Sequence, residues 1–182
     1  RPKAIQKISM GASKDGKLVG ITHEANAMTA SYAECRAGIV NTTRSLYARP
    51  NVTTRYKVYP LDLSQPTYMR GPGETTGKYA LECAMDEMAH ALNIDPLEFR
   101  LINYAETDPE HNRPYSSKFL KEAYQMGSDA IGWKARNPEI RSMKDGEWLV
   151  GYGMGSGVFG SGRGAAKVGI KFMADGTLIM QT

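Results

Sequence analysis

Only two cysteines, Cys35 and Cys83, occur in the 182 residues. They lie far apart and without metal-ligand spacing, so neither a disulfide framework nor a thiolate zinc site is expected. Both read as free thiols, Cys83 as a small buried hydrophobe within a helical apolar stretch. Histidine is almost as scarce, at three residues, and neither His23 nor His111 has companion ligands nearby. No apolar run approaches the roughly 20 residues that cross a bilayer, which argues against a membrane protein. Neither sign of charge dominates: 23 basic residues against 19 acidic leave a net charge of +4. The basic residues alternate with acids and form no RNP, zinc-finger or basic-zipper pattern, so nucleic acid is not expected as a partner. Arg36, Arg44, Arg49 and Arg55 crowd one region, where a solvated face is a better reading than a phosphate track. A nucleophile elbow and a Gly-Lys-Ser/Thr phosphate loop are also missing, leaving hydrolase and nucleotidase readings without support.

What is present is glycine in particular places. "SKDGK" lies between Ile5–Ala12 and Leu18–Met28, two stretches of alternating character, and a Lys-Asp-Gly tip there predicts a hairpin. The same grammar returns in "AAKVGIKFM", "ADG" and "TLIMQT", a pair that would suit an internal duplication although the flanking residues differ. Ser31–Tyr47 reads as loop with a short helix, and Val52–Leu63 as a strand rich in β-branched and aromatic residues. "GYGMGSG" between Gly151 and Gly162 imitates a dinucleotide fingerprint, but the strand-like "AAKVGIKF" follows where a helix is required, and the Rossmann reading is rejected. Seven glycines from Trp148 to Ala166 instead suggest an extended segment closely approached by a ligand or another backbone.

From Thr75 the period becomes helical, with Leu81, Met85, Met88 and Leu92 on one stripe. Asp95 and Pro96 announce a second helix as N-cap and first helical residue. A third follows Ser116 or Ser117, either of which can cap it, with Phe119, Leu120, Ala123, Tyr124 and Ile131 as its apolar face and Gly127 interrupting or bending it. Glu82, Asp86 and His90 share a helix face at four-residue spacing. They could be metal ligands, but the polar side of an amphipathic helix explains them better. The expected fold is α+β, helices packed on an antiparallel sheet, with Leu81, Met85, Met88, Leu92, Phe99, Phe119 and Trp133 in or near the core.

The segment Arg70-Gly71-Pro72-Gly73-Glu74 sits just before the first long helix, where exposed backbone amides can hold an anion. On spacing alone, a simple turn is the better reading of it. The phrases "DGKLVGITHEANA", "LYARPN", "MRGPGE", "LECAMDEMAHALNIDPLEFRLINYA", "YSSKFLKEAYQMGSDAIGW" and "WLVGYGMG", in this order over nearly the whole chain, change that balance. Together they resemble the molybdenum-binding large subunit of the xanthine dehydrogenase/aldehyde oxidase family, particularly its bacterial aldehyde-oxidising members.

The resemblance implies a molybdopterin-binding domain of which residues 1–182 are a part. It implies a parent oxidoreductase that hydroxylates an aldehyde or a carbon beside a heteroatom with oxygen from water. Molybdenum would be held by molybdopterin, in bacteria usually the cytosine dinucleotide form, and electrons would leave through iron-sulfur and FAD partner subunits or domains. Arg70 matches the arginine whose backbone amide lies beside the metal's ligands, with Gly71 and Gly73 letting that backbone approach. Pro72 stands where purine-oxidising relatives place an aromatic residue against the substrate, and Gly38 stands where they place an arginine. Both departures point away from purines and toward a small aldehyde or another heterocycle.

The family's glutamate base would lie beyond Thr182, its metal-proximal glutamine before Arg1, and its glycine-rich pterin contact just after "IMQT". The chain is therefore expected to be an excised piece, with no catalytic residue of its own, inactive and without bound cofactor when isolated. The remainder of the subunit would be its first partner, and surface normally covered by it should be exposed. The compartment implied is cytoplasm or periplasm. The alternative is a non-catalytic binding or assembly module sharing only the fold.

Overall fold

The computed structural model describes residues 1–160 and 164–181, and Gly162 of the glycine-rich stretch lies outside them. Strands β1 (Ala4–Ala12) and β2 (Leu18–Ala30) pair antiparallel around the Asp15-Gly16 tip. Gly16 has φ +85; its amide bonds back to Ser13 O at 2.9 Å while Ser13 N reaches Lys17 O at 2.8 Å. That is a three-residue hairpin loop closed by a glycine in the left-handed region, which a side chain would disfavour. The second tip repeats it: Gly176 has φ +86, and Met173 N meets Thr177 O at 2.9 Å. It joins β8 (Gly169–Phe172) to β9 (Leu178–Gln181).

The third strand departs from the expected antiparallel sheet. β3 (Asn51–Leu61) runs parallel to β2, pairing Gly20 with Asn51 through to Ala30 with Leu61, so the sheet order is β1-β2-β3 and the sheet is mixed. A parallel neighbour needs a crossover. Residues 31–50 supply it, and they contain the short helix α1 (Asn41–Ser45).

Helix α2 (Glu74–Ala91) packs across β1 and α1. Its buried stripe is Gly77, Leu81, Met85 and Ala89, with Met88 and Leu92 partly buried beside it against a core of Leu18, Ile21, Leu46, Tyr47 and Phe99. Burying side chains of that size contributes roughly 1.5–3 kcal/mol each. Asp95 caps α3 (Pro96–Ile102) as expected, accepting from Leu97 N at 2.8 Å and Glu98 N at 3.3 Å. Asn103 then ties α3 to the first hairpin. Its Nδ2 donates to Gly16 O at 2.8 Å and its Oδ1 accepts from Leu18 N at 2.8 Å.

Short two-residue pairs follow: β4 (Thr107–Asp108) with β5 (Arg113–Pro114), and β6 (Lys144–Asp145) with β7 (Trp148–Leu149). Between them lie α4 (Leu120–Ala130) and a 3-10 turn at Trp133–Ala135. Helix α4 departs from the sequence reading in three ways. It has Phe119 rather than Ser116 or Ser117 at its N-cap, without a side-chain cap. It runs through Gly127 unbroken, and it leaves Phe119 72% exposed instead of in the core. Tyr124 carries its burial instead. Cys83 is likewise exposed, because it sits two residues from Leu81 and faces away from the buried stripe, whereas Cys35 is the buried thiol. Trp133 is buried as expected. Both strands of the second hairpin are exposed along their length, as are the apolar side chains Phe159, Ile170, Phe172 and Met180.

Candidate functional site

The backbone takes an unusual path just before α2. Arg70 has φ +31, Gly71 φ +63 and Gly73 φ +85, three left-handed residues within four positions. Gly73 is the N-cap of α2 and offers no side-chain cap. Within this turn the carbonyls are used: Gly71 O accepts from Thr75 N at 3.1 Å, Gly73 O from Gly77 N at 2.7 Å, and Arg70 O from Thr75 Oγ1 at 3.0 Å. The guanidinium of Arg1 reaches the outer side of the same turn, donating to Arg70 O at 3.0 Å and Met69 O at 3.2 Å. Among the described residues, no acceptor pairs with the amides of Arg70, Gly71, Gly73 or Glu74. An 18-residue helix directs a partial positive charge of roughly half a unit at this end. A turn with unpaired amides at such an end suits an anion or the electron-rich oxygens and sulfurs around a metal.

The fold brings Gly38 to the same place. A Cβ on Gly73 would lie 2.3 Å from Gly38 N and 2.4 Å from its carbonyl carbon, and one on Gly77 would lie 1.7 Å from Ile39 O. The two glycines one turn apart let the start of α2 rest directly on the 38–39 backbone. Gly73 is thus accounted for by packing inside the chain. Gly71 is different, since its added Cβ would meet only Thr75, at 3.0 Å from Oγ1. At Gly38 a side chain would run into the Asn41 amide, 2.2 Å from its Nδ2, and Asn41 Oδ1 in turn accepts from Arg44 at 3.0 Å. Gly38, Gly71, Pro72 and Gly73 therefore gather at one end of α2, with Arg70 exposed beside them.

Beneath the turn runs a chain of side-chain hydrogen bonds that the sequence did not disclose. Gln6 Nε2 donates to Thr76 O at 3.1 Å in the first turn of α2. Its Oε1 faces His23 Nε2 at 3.1 Å, and His23 Nδ1 faces Thr43 Oγ1 at 2.7 Å. Because the Gln6 amino group is committed to Thr76, its oxygen must accept, so His23 carries its proton on Nε2 and Nδ1 accepts from Thr43. His23 is fully buried, and burial pushes its pKa down to about 4.

The proposed polar face of α2 divides in two. His90 is exposed, but Glu82 is buried, contrary to the expected solvated face. Glu82 Oε2 accepts from Arg100 Nε at 2.9 Å and Ser156 N at 2.8 Å, and Oε1 accepts from the Tyr47 hydroxyl at 2.7 Å. Arg100 also reaches Asp86 Oδ1 at 2.7 Å. Burial opposes the charge on Arg100, yet Tyr47, Glu82 and Asp86 outweigh it and hold the guanidinium protonated. Burial, then the charge on Glu82, pushes Tyr47 well up. Among the described residues no cluster of three metal-ligating side chains occurs. Glu82 and Asp86 form an ion-pair network with Arg100, and through Ser156 it anchors the glycine-rich segment against α2. Of the crowded arginines, Arg36, Arg44 and Arg55 pair with Glu34, Glu110 and Glu24. No described helix is long and apolar enough to cross a membrane.

The family model described as the molybdopterin cofactor-binding domain matches residues 1–104, which contain the whole turn and its supports. The aldehyde oxidoreductase molybdenum-binding subunit PaoC of Escherichia coli is 39% identical over 158 residues, covering 86% of this chain and 21% of that protein. The xanthine dehydrogenase molybdenum-binding subunit of Escherichia coli O157:H7 is 28% identical over 142 residues, covering 74% of this chain and 19% of its own length. In fold, the chain is similar to the aldehyde oxidoreductase of Desulfovibrio gigas, with a TM-score of 0.63 at 23% identity, over 74% of this chain and 16% of that one. The chain thus spans about one fifth of the length of the curated relatives it matches. On this footing the α+β chain belongs to the molybdenum-binding subunits of the xanthine dehydrogenase/aldehyde oxidase family, with residues 1–104 matching the molybdopterin cofactor-binding domain.

Proposed function

We propose that residues 1–182 form one wall of the molybdenum site in an oxidoreductase that converts aldehydes, or heterocycles activated beside a heteroatom, using water as the oxygen source. The observation that carries this reading is the uncapped start of α2, with the Arg70–Glu74 amides unpaired beside a left-handed turn. That donor set fits a group rich in acceptor atoms, and Gly71, unlike Gly73, is not packed against the backbone of residues 38–39.

Molybdenum on its pterin, in the cytosine dinucleotide form, supplies the two-electron redox chemistry when bound, as cofactors generally do. The residues here supply position and electrostatics. The Arg70 and Gly71 amides donate hydrogen bonds to ligands of the metal, and the α2 dipole favours their negative charge. Gly73 fixes how closely the turn approaches Gly38. Pro72 contributes no aromatic plate and Gly38 no guanidinium to the substrate side of this wall, which suits a small aldehyde better than a purine. Iron-sulfur and FAD partners take the electrons, the rest of the molybdenum subunit supplies the acid–base residue, and the isolated chain is inactive.

The test is metal analysis with a dye-linked benzaldehyde assay, on the isolated chain and on the intact subunit assembled with its partners. The reading predicts molybdenum and turnover in the assembly and neither in the isolated chain. Stoichiometric molybdenum with turnover in the isolated chain would refute it.

A further inference from the structure

We propose that Gln6 is a positioning residue: it holds the first turn of α2, and through it the Arg70–Gly73 amides, at a fixed distance from the bound cofactor. The inference rests on the molybdenum-site reading above. Gln6 lies on β1, far from the turn in sequence, yet its amide is the side-chain donor that grips the Thr76 carbonyl. This grip is directional. His23 takes the Gln6 oxygen, and Thr43 on α1 takes the other ring nitrogen, so the amide cannot rotate without breaking two bonds at once. The chain thus links α1, β2, β1 and α2.

A second contact makes the first turn of α2 sensitive to that grip. Gly77 rests on Ile39 O with no room for a Cβ, and Gly73 rests on Gly38. The helix start is thus seated backbone to backbone on residues 38–39 and also held by Gln6, so a change at Gln6 bears on the height of the turn. The Gln6 side chain does not approach the Arg70–Gly73 amides in the structure, so any effect it has on the metal must travel through Thr76.

Gln6→Glu tests this. The carboxylate still accepts from His23 but, ionised, has no hydrogen to give Thr76 and sets an oxygen against that carbonyl, so the grip on α2 becomes a repulsion. In the intact subunit, molybdenum content, thermal midpoint and the Mo(V) electron paramagnetic resonance signal after partial dithionite reduction are measured together. The expected result is a folded protein that either loses molybdenum or shows shifted Mo(V) g values. Full molybdenum with wild-type g values overturns the proposal. If Gln6→Glu does not fold, Gln6→Met, which removes the donor to Thr76 without adding a charge, is read by the same two outcomes. Gly71→Ala separates this from the parent reading. If it leaves molybdenum content and signal untouched, the close approach to the metal's ligands that the parent reading gives Gly71 fails. If Gly71→Ala perturbs them while Gln6→Glu does not, only the positioning role fails.

Discussion

Gly73 and Gly38 are in backbone contact, the space for a Gly73 side chain being taken by the Gly38 nitrogen and carbonyl carbon. This predicts unequal costs for alanine at the two glycines of the turn. Gly73→Ala meets rigid backbone at a φ of +85 and should destabilise by about 2–5 kcal/mol, combining left-handed strain with overpacking. Gly71→Ala, against a movable threonine side chain, should cost about 1–2 kcal/mol. Urea titration of the two variants checks the order, and equal costs would contradict the contact.

Arg100 has both faces committed inside the fold, to Glu82 and to Asp86. Arg100→Met should destabilise by about 3–5 kcal/mol because it strands the buried Glu82 carboxylate. Adding Glu82→Gln to Arg100→Met should recover part of that loss, since the amide oxygen can still receive the Ser156 N–H while its amino group donates to the Tyr47 hydroxyl, which turns its own hydrogen to Ser156 Oγ. A double-mutant cycle in urea shows whether the two changes are coupled.

His23 titrates against the fold. Its pKa is held at about 4 by burial, below its ordinary value of 6.5, so the unfolded chain takes up a proton first as pH falls. The stability that comes from keeping this imidazole neutral is complete above pH 6.5 and drains away as pH drops toward 4. The slope from this one group approaches 1.4 kcal/mol per pH unit. Unfolding measured between pH 7 and 5 should show it, and His23→Asn should flatten it.

Asp95 holds more than a helix start. Besides capping α3, its carboxylate accepts from Trp133 Nε1 at 3.2 Å and Arg136 at 2.6 Å, and Arg136 stacks over the Trp133 ring at 3.7 Å. Asp95→Ala should therefore cost more than the roughly 1 kcal/mol of a lost cap. It should also release the 3-10 turn, seen as a red shift in tryptophan emission with Trp148, already exposed, as a constant background.

The local elements were legible in the sequence because each is encoded by neighbours: the Asp-Gly tips, the Asp95-Pro96 helix start and the Leu81–Met85 spacing. What was not legible depends on residues distant in the chain. The direction of β3 is set by a crossover that leaves no periodic mark. The burial of Glu82 requires Arg100, Tyr47 and Ser156, whose sequence separations reach 74 residues, and a carboxylate on a polar stripe looks the same whether solvated or paired. Gln6 and His23 sit on strand positions that polar residues commonly fill, and nothing local reveals that they meet Thr43 and Thr76. The RGPGE turn was visible through its glycines, but that Gly73 packs on the Gly38 backbone while Gly71 meets only Thr75 needed coordinates.

The most direct test is to locate molybdenum by anomalous scattering in crystals of the intact, metal-loaded subunit. The account predicts the Arg70 and Gly71 amide nitrogens within hydrogen-bond reach, about 3 Å, of the metal's ligands. A metal centre remote from α2's first turn, with those amides facing other protein atoms, would contradict it.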